Sequence, residues 1–311
     1  MPTDNRKLLA KADLDTAGLA AGGLLQPQQA DRFFRVMIKS AVLMQQINVT
    51  PMRGPKERRD KTRFGSRVLK PGVESQALAL AERSKPDLSF IELDAKLVKA
   101  EVRMSDEVLE DQIERGAYQQ TIVETLAAAV ARDMDFLISQ GDTASGNALL
   151  AVLDGFIKQA TSNVVAAGVV KLSKEALRDM LKTMPDEFVS DRLWYFTNRQ
   201  AIADYNDSLA DRATSLGDAK VMQAQGVQSV YNNLPVAQVP EFPNALGGGT
   251  NETVVLLTER ENMLMGMHRD VRVRMGEDIS AGQIIIVVSM RLDVKYMHEP
   301  AVVKATGILG V

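Results

Sequence analysis

One stretch narrows the choice of architecture more than any other. An alternating segment, Lys96–Met104, runs through Ser105–Asp111 straight into a long amphipathic helix. Tyr118, Ile122, Leu126, Val130, Met134 and Ile138 recur every fourth residue, the spacing that lines one helical face. Only Gly116 interrupts it, at a cost of about 1 kcal/mol relative to alanine. The pattern predicts a helix over 106–139, about 50 Å long at about 1.5 Å per residue. A small domain is only about 30 Å across, so a single rod of that length reads as a mechanical spine rather than a catalytic scaffold.

Composition removes whole classes of function. The 311 residues are a soft prior for two domains or one large one, and 45% hydrophobic content supplies a sizeable core. Cysteine is absent, which excludes disulfides, thiolate catalysis, zinc ribbons and iron–sulfur clusters. Met1–Lys7 leads into no apolar segment with a cleavage site, so no secretory signal is expected, and no run of 18 apolar residues exists to span a membrane. The formal charge of −3 does not suit a dedicated nucleic-acid binder. Aromatics are 5% and methionines number 15; methionine fills irregular gaps, in a core or against changing neighbours.

The chemistry of an active site is hard to find. Gly141 and Gly146 have the spacing of half a phosphate loop, but Asn147 and Ala148 replace its Lys and Ser/Thr, and the glycines follow a helix instead of preceding one. His268 and His298 stand 30 positions apart with no acid–histidine ligand pattern around them. No Gly-x-Ser-x-Gly elbow is present. The expectation is therefore no enzyme, no metal and no cofactor.

Residues 52–94 change character. Arg53, Lys56, Arg58, Arg59, Lys61, Arg63, Arg67 and Lys70 are offset only by Glu57 and Asp60, and the return limb carries Glu74, Glu82, Asp87, Glu92 and Asp94. Prolines and glycines punctuate the segment and apolar residues are few, so it reads as a two-stranded excursion that needs a neighbour to hold it. Its basic limb could pair with a sibling subunit, lie solvated, or contact nucleic acid, although Phe64 is its sole aromatic residue. Asp106, Glu107, Glu110, Asp111 and Glu114 at the start of the long helix offer a complementary acidic surface, and the helix dipole favours acids there in any case.

Elsewhere, a short helix is expected around Phe33–Met44 and extended chain over 46–51. Gly141–Asn147 should end the long helix, Ser173 should cap a helix, and Leu193–Thr197 should be a buried strand. A helix should start at Asn198, Asp204–Gln228 should be an exposed excursion, and Gly247–Gly249 a mobile loop. Strands are expected at 253–257, 271–275, 283–290, 293–297 and 301–305.

In this order the pieces resemble the major capsid proteins of tailed bacteriophages, with their Hong Kong 97-type fold. Asp13–Gly18 with Gly22–Pro27 is similar to the start of that family's N-arm, and 52–94 sits where it has its extended E-loop. Leu97–Asp111 resembles its strand-into-spine segment, and Gly226–Val230 with Leu234–Val236 a turn and strand of its A-domain. Leu257–Asn262, Arg269–Val273, Arg291–Val294 and Pro300–Lys304 resemble its late strands.

The resemblance implies an α+β fold divided as N-arm 1–32, start of the P-domain 33–51, E-loop 52–94, strand and spine helix 95–144, A-domain 145–253, and C-terminal strands of both domains 254–311. It implies self-assembly into hexamers and pentamers, an icosahedral shell around double-stranded DNA, and a place in the virion after assembly in the host cytoplasm. It further implies a portal protein and a scaffolding protein that is separate or dispensable, since only about twenty residues precede the arm, and leaves a decoration protein open. The alternative on the same fold is an encapsulin-type compartment. Lys56, Lys61 and Lys70 lie in the loop where some relatives cross-link, but no partner asparagine or activating acid is identifiable, so that activity is not implied here.

Overall fold

The computed structural model describes residues 37, 41–64, 67–72, 74, 76–105, 118–210, 229–244 and 251–310. Its longest helix, α1, spans Tyr118–Gln140, about 35 Å of rod; the twelve residues expected to extend it toward the N-terminus lie outside the described residues. Ala127, Val130, Ala131, Met134, Leu137 and Ile138 are buried, a stripe with the 3–4 spacing read from the sequence, and Ile122 and Leu126 pack half-buried beside it. The helix stops at Gly141 for a tertiary reason as well as a local one. A Cβ at Gly141 would sit 2.4 Å from the Leu153 carbonyl oxygen, and one at Gly155 would sit 2.6 Å from the Gly141 nitrogen. The two backbones touch, joined by the Gly155 N–H donating to the Gly141 carbonyl at 2.8 Å.

The stripe of α1 packs on a four-stranded sheet built from β1 (Asn48–Pro51), β4 (Lys96–Ser105), β10 (Met263–Asp278) and β11 (Gln283–Tyr296), in the order β1-β10-β11-β4. Two strands expected at 283–290 and 293–297 are one. Ile286, Val288, Met290, Leu292, Val294 and Tyr296 alternate without a break into the core, so the polar Arg291 and Asp293 between them are simply the other face.

A second sheet runs β5 (Asn163–Val170), β12 (Val303–Leu309), β9 (Glu252–Glu259), β6 (Leu193–Thr197), β8 (Leu234–Gln238) and β7 (Val230–Tyr231). Helices α3 (Lys174–Thr183) and α4 (Arg199–Ala210) cover one of its faces; a short α2 (Phe156–Gln159) precedes β5. Ser173 caps α3 as expected, accepting from the Ala176 amide, and Asn198 Oδ1 accepts from the Ala201 amide at the start of α4. Contrary to the sequence expectation, α4 continues through Asp204 to Ala210. Tyr205, 2% exposed, packs beneath the sheet and donates its hydroxyl to the Val230 carbonyl, which holds that part of the chain against the body. Residues 211–228 and 245–250, including the expected mobile loop, lie outside the described residues.

Strand β9 joins the two cores. Val254 and Leu256 face the cluster shared with α1, while Val255 and Leu257 face the cluster under α3 and α4. A strand buried on both faces needs a continuous apolar run, and Val254–Leu257 is one.

Candidate assembly surface

The segment 52–94 folds into a two-stranded hairpin of β2 (Lys56–Arg63) and β3 (Asp87–Asp94), with Lys56 opposite Asp94 and Arg63 opposite Asp87. Period-2 alternation sorts its charges into two sets. Lys56, Arg58, Asp60, Thr62, Leu88, Phe90 and Glu92 share the outer face, and Glu57, Arg59, Lys61, Arg63, Ile91 and Leu93 share the inner one.

The outer face is solvated. Lys56 Nζ lies 3.7 Å from Asp94 and 4.0 Å from Glu92, and Arg58 Nε lies 2.9 Å from Asp60. Such exposed pairs contribute about 0–1 kcal/mol each. The Arg58 guanidinium also stacks 3.7 Å above the Phe90 ring. Leu88 beside it is 78% exposed, and in the distal loop Leu69 is 93% exposed, with Phe64, Val68 and Leu80 also in solvent. Apart from Met52, Ile91 and Leu93 near the root, the large apolar residues described in this excursion therefore point into solvent.

The inner face rests on the same chain. Leu93 joins Met52, Ala95 and Leu264 in a small buried cluster at the root, and a Cβ at Gly266 would come within 2.7 Å of Met52 Sδ. The Asp94 amide donates to the buried Asp293 carboxylate at 2.8 Å, whose pKa burial pushes up against that hydrogen bond. Arg59 Nε is 3.3 Å from Glu57 Oε1, a coulombic contact without hydrogen-bond alignment. Further along, Lys61 Nζ donates to the Met297 carbonyl at 2.8 Å, and Arg63 Nη2 lies 3.3 Å from Glu187 Oε1. The Arg63 guanidinium stands 5.5 Å from the Phe188 ring, which tilts against His298 at 6.1 Å.

The six basic candidates thus divide. Arg53 is exposed at the root, its amide donating to Glu57 Oε2; Lys56 and Arg58 face outward; Arg59, Lys61 and Arg63 face the body. Asp106, Glu107, Glu110, Asp111 and Glu114 lie outside the described residues. Glu187, Phe188 and His298, which meet the inner face, were not picked out in the sequence as partners of this segment. Nothing local marks them, since each lies more than 120 positions from β2.

The sequence profile of the phage capsid family matches residues 21–307. The chain belongs to the phage capsid family. A putative prophage capsid protein of Bacillus subtilis (strain 168), YqbE, is 31% identical over 306 residues, covering 96% of this chain and 97% of that protein. A satellite phage P4 procapsid structure superposes with a TM-score of 0.67 at 15% identity, covering 99% of this chain and 98% of that one. The holo-SrpI encapsulin complex of Synechococcus elongatus PCC 7942 gives a TM-score of 0.57 at 12% identity, over 100% of this chain and 98% of that one. The fold is the Hong Kong 97-type capsid fold, α+β in class, and the chain is a major capsid protein, the subunit of an icosahedral phage shell.

In the capsid protein, the segment ahead of β1 is seated in the core. Met37, Ala41, Leu43 and Met44 are buried, and the Leu43 and Met44 amides donate at 3.0 and 3.2 Å to the carboxylate of Asp135 on α1. Burial pushes the Asp135 carboxyl up to about 6, against the pull of those amides and with the Glu241 charge adding to the rise. Among the described residues, no group of three His, Asp or Glu side chains is placed to hold a metal ion.

Proposed function

We propose that the capsid protein tiles its shell as hexamers and pentamers enclosing double-stranded DNA, and that the β2–β3 hairpin is the E-loop by which one copy grips the next. The observation that carries this is the division of the hairpin. Its inner face is used by its own subunit, while Arg58, Leu88, Phe90 and the distal Leu69 and Leu80 present an apolar and cationic surface to solvent. Exposed apolar side chains clustered on a projecting element are the signature of an interaction surface. The acidic run 106–114 is the proposed counterpart of Arg58 on a neighbouring copy. Repetition of one such heterologous contact around a closing rotation builds a ring, and several weak interfaces closing together make a lattice firm. The division into N-arm 1–32, P-domain 33–51 and 95–144, E-loop 52–94, A-domain 145–253 and shared C-terminal strands 254–311 belongs to the same proposal. So do a portal protein, a separate scaffolding protein, a decoration protein, assembly in the host cytoplasm, and a purely structural role without catalysis.

The test is a double variant of the outer face, Arg58→Glu with Leu88→Ser, followed by negative-stain microscopy and circular dichroism. The expected result is a folded subunit that no longer forms shells; shells of normal number and shape would overturn the role given to the hairpin. A cargo-holding compartment is the second reading, because the fold is shared with an encapsulin across its whole length. Nuclease-protected DNA inside particles from infected or induced cells supports the phage head, and protein cargo without nucleic acid supports the compartment.

A further inference from the structure

The hairpin is held at two places of unlike strength. At its root, the Met52, Leu93, Ala95 and Leu264 side chains are buried together and the Asp94 amide is bound to the buried Asp293. At its distal end the contacts are polar and half-exposed: Lys61 on the Met297 carbonyl, and Arg63 on Glu187 and Phe188, with His298 behind Phe188. None of these distal partners adds apolar burial comparable to the root, and exposed ion pairs are readily exchanged for water. The chain is therefore hinged at one end and clasped at the other. Eight residues per strand give the lever an arm of about 27 Å, so opening the clasp swings the distal loop through a wide arc while the root stays in place.

We propose that this clasp is an autoinhibitory strap, which holds the hairpin of a free subunit down on its own body and must open before the hairpin engages a second copy. The inference rests on the shell-forming reading of the hairpin above. Clasped, Lys61 and Arg63 are committed to Met297 and Glu187, and the distal loop carrying Leu69 and Leu80 is kept beside its own subunit with those side chains in water. Released, the same loop can reach a neighbour and bury them. The free subunit is thereby kept from associating prematurely, and apolar burial on the neighbour supplies the drive that a polar clasp can be outweighed by.

The absence of cysteine makes a clean test available. In an Arg63→Cys, Glu187→Cys variant of the full chain, the two thiols are joined by a reducible bis-methanethiosulfonate linker, since an arginine–glutamate reach exceeds what a direct disulfide spans. The linked subunit is expected to assemble at least tenfold more slowly than the same variant after reduction, followed by light scattering and microscopy. Equal rates before and after reduction would overturn the strap. Independently of assembly, Glu187→Lys is expected to raise hydrogen exchange across 87–94 in the free subunit several-fold without altering exchange in α1. Unchanged exchange across 87–94 would remove the clasp. Failure of wild-type protein to assemble at all would instead count against the shell reading, and the exchange arm would still decide the clasp.

Discussion

The body and the hairpin of this capsid protein use the same alternation of residues toward opposite ends. In β11, every second side chain from Ile286 to Tyr296 enters a core shared with α1, and the strand is held by two sheet neighbours. In β3, the residues at the same spacing, Leu88 and Phe90, point into water, and β2 is the strand's single sheet partner. Burial against a second layer makes a strand part of a subunit. Alternation without that layer leaves an adhesive surface whose stabilisation comes from elsewhere. The contrast teaches that the α1–β11 pair serves folding, whereas the outer face of the hairpin adds little to it, which is why a role in assembly is proposed for that face.

The largest expected effect lies in the body. Leu137, fully buried between α1 and its sheet, should cost about 2–5 kcal/mol as Leu137→Ala, lowering the urea midpoint of the subunit. A residue of the hairpin's outer face, such as Leu88, that cost as much would break the comparison. Next comes Gly155→Ala. Its Cβ would need space now held by the Gly141, Ile138 and Ser139 backbones, and about 1–3 kcal/mol is expected by the same measurement.

Asp135 sharpens the comparison through pH. Its folded-state pKa stands above the ordinary carboxylate value, so the folded state binds the proton more tightly than the unfolded chain. Its contribution is therefore fully present below about pH 4 and is lost as pH rises through about 6. Denaturation at pH 5 and pH 7 should show wild type losing about 1 kcal/mol more than Asp135→Asn over that interval. Equal losses would mean that the carboxyl is not buried against the 41–44 segment. The smallest effect belongs to the hairpin: Lys56→Ala should change subunit stability by no more than about 0.5 kcal/mol, its ion pairs being exposed. Thermal denaturation would check it.

Much of the body was legible because its signals are local. The four-residue recurrence from Ile122 to Ile138, the Ser173 cap, the apolar run at 193–197 and the proline- and glycine-rich excursion each describe their own backbone. The merging of 283–296 into one strand was partly legible, since the alternation crosses Arg291 unbroken, but charged side chains at Arg291 and Asp293 read as a boundary until their face is known. The continuation of α4 was not legible. Its polar residues suit solvent, and its anchors, among them Tyr205 on the Val230 carbonyl and Asp204 beside Lys171, have partners in other parts of the chain. At the candidate surface, the sequence marked the basic residues and left their sides unassigned.

By itself the chain determined which segments are helix, strand and excursion, and that the excursion could not form a core, because periodicity and side-chain chemistry act within a few residues. It also excluded thiol and disulfide chemistry outright. Tertiary structure alone decided that β9 serves two cores, that Gly141 and Gly155 must touch, and that Lys61 and Arg63 turn inward while Arg58 turns outward. Those outcomes depend on contacts between residues up to 236 positions apart, and such contacts are set by how the layers pack, which no local pattern encodes.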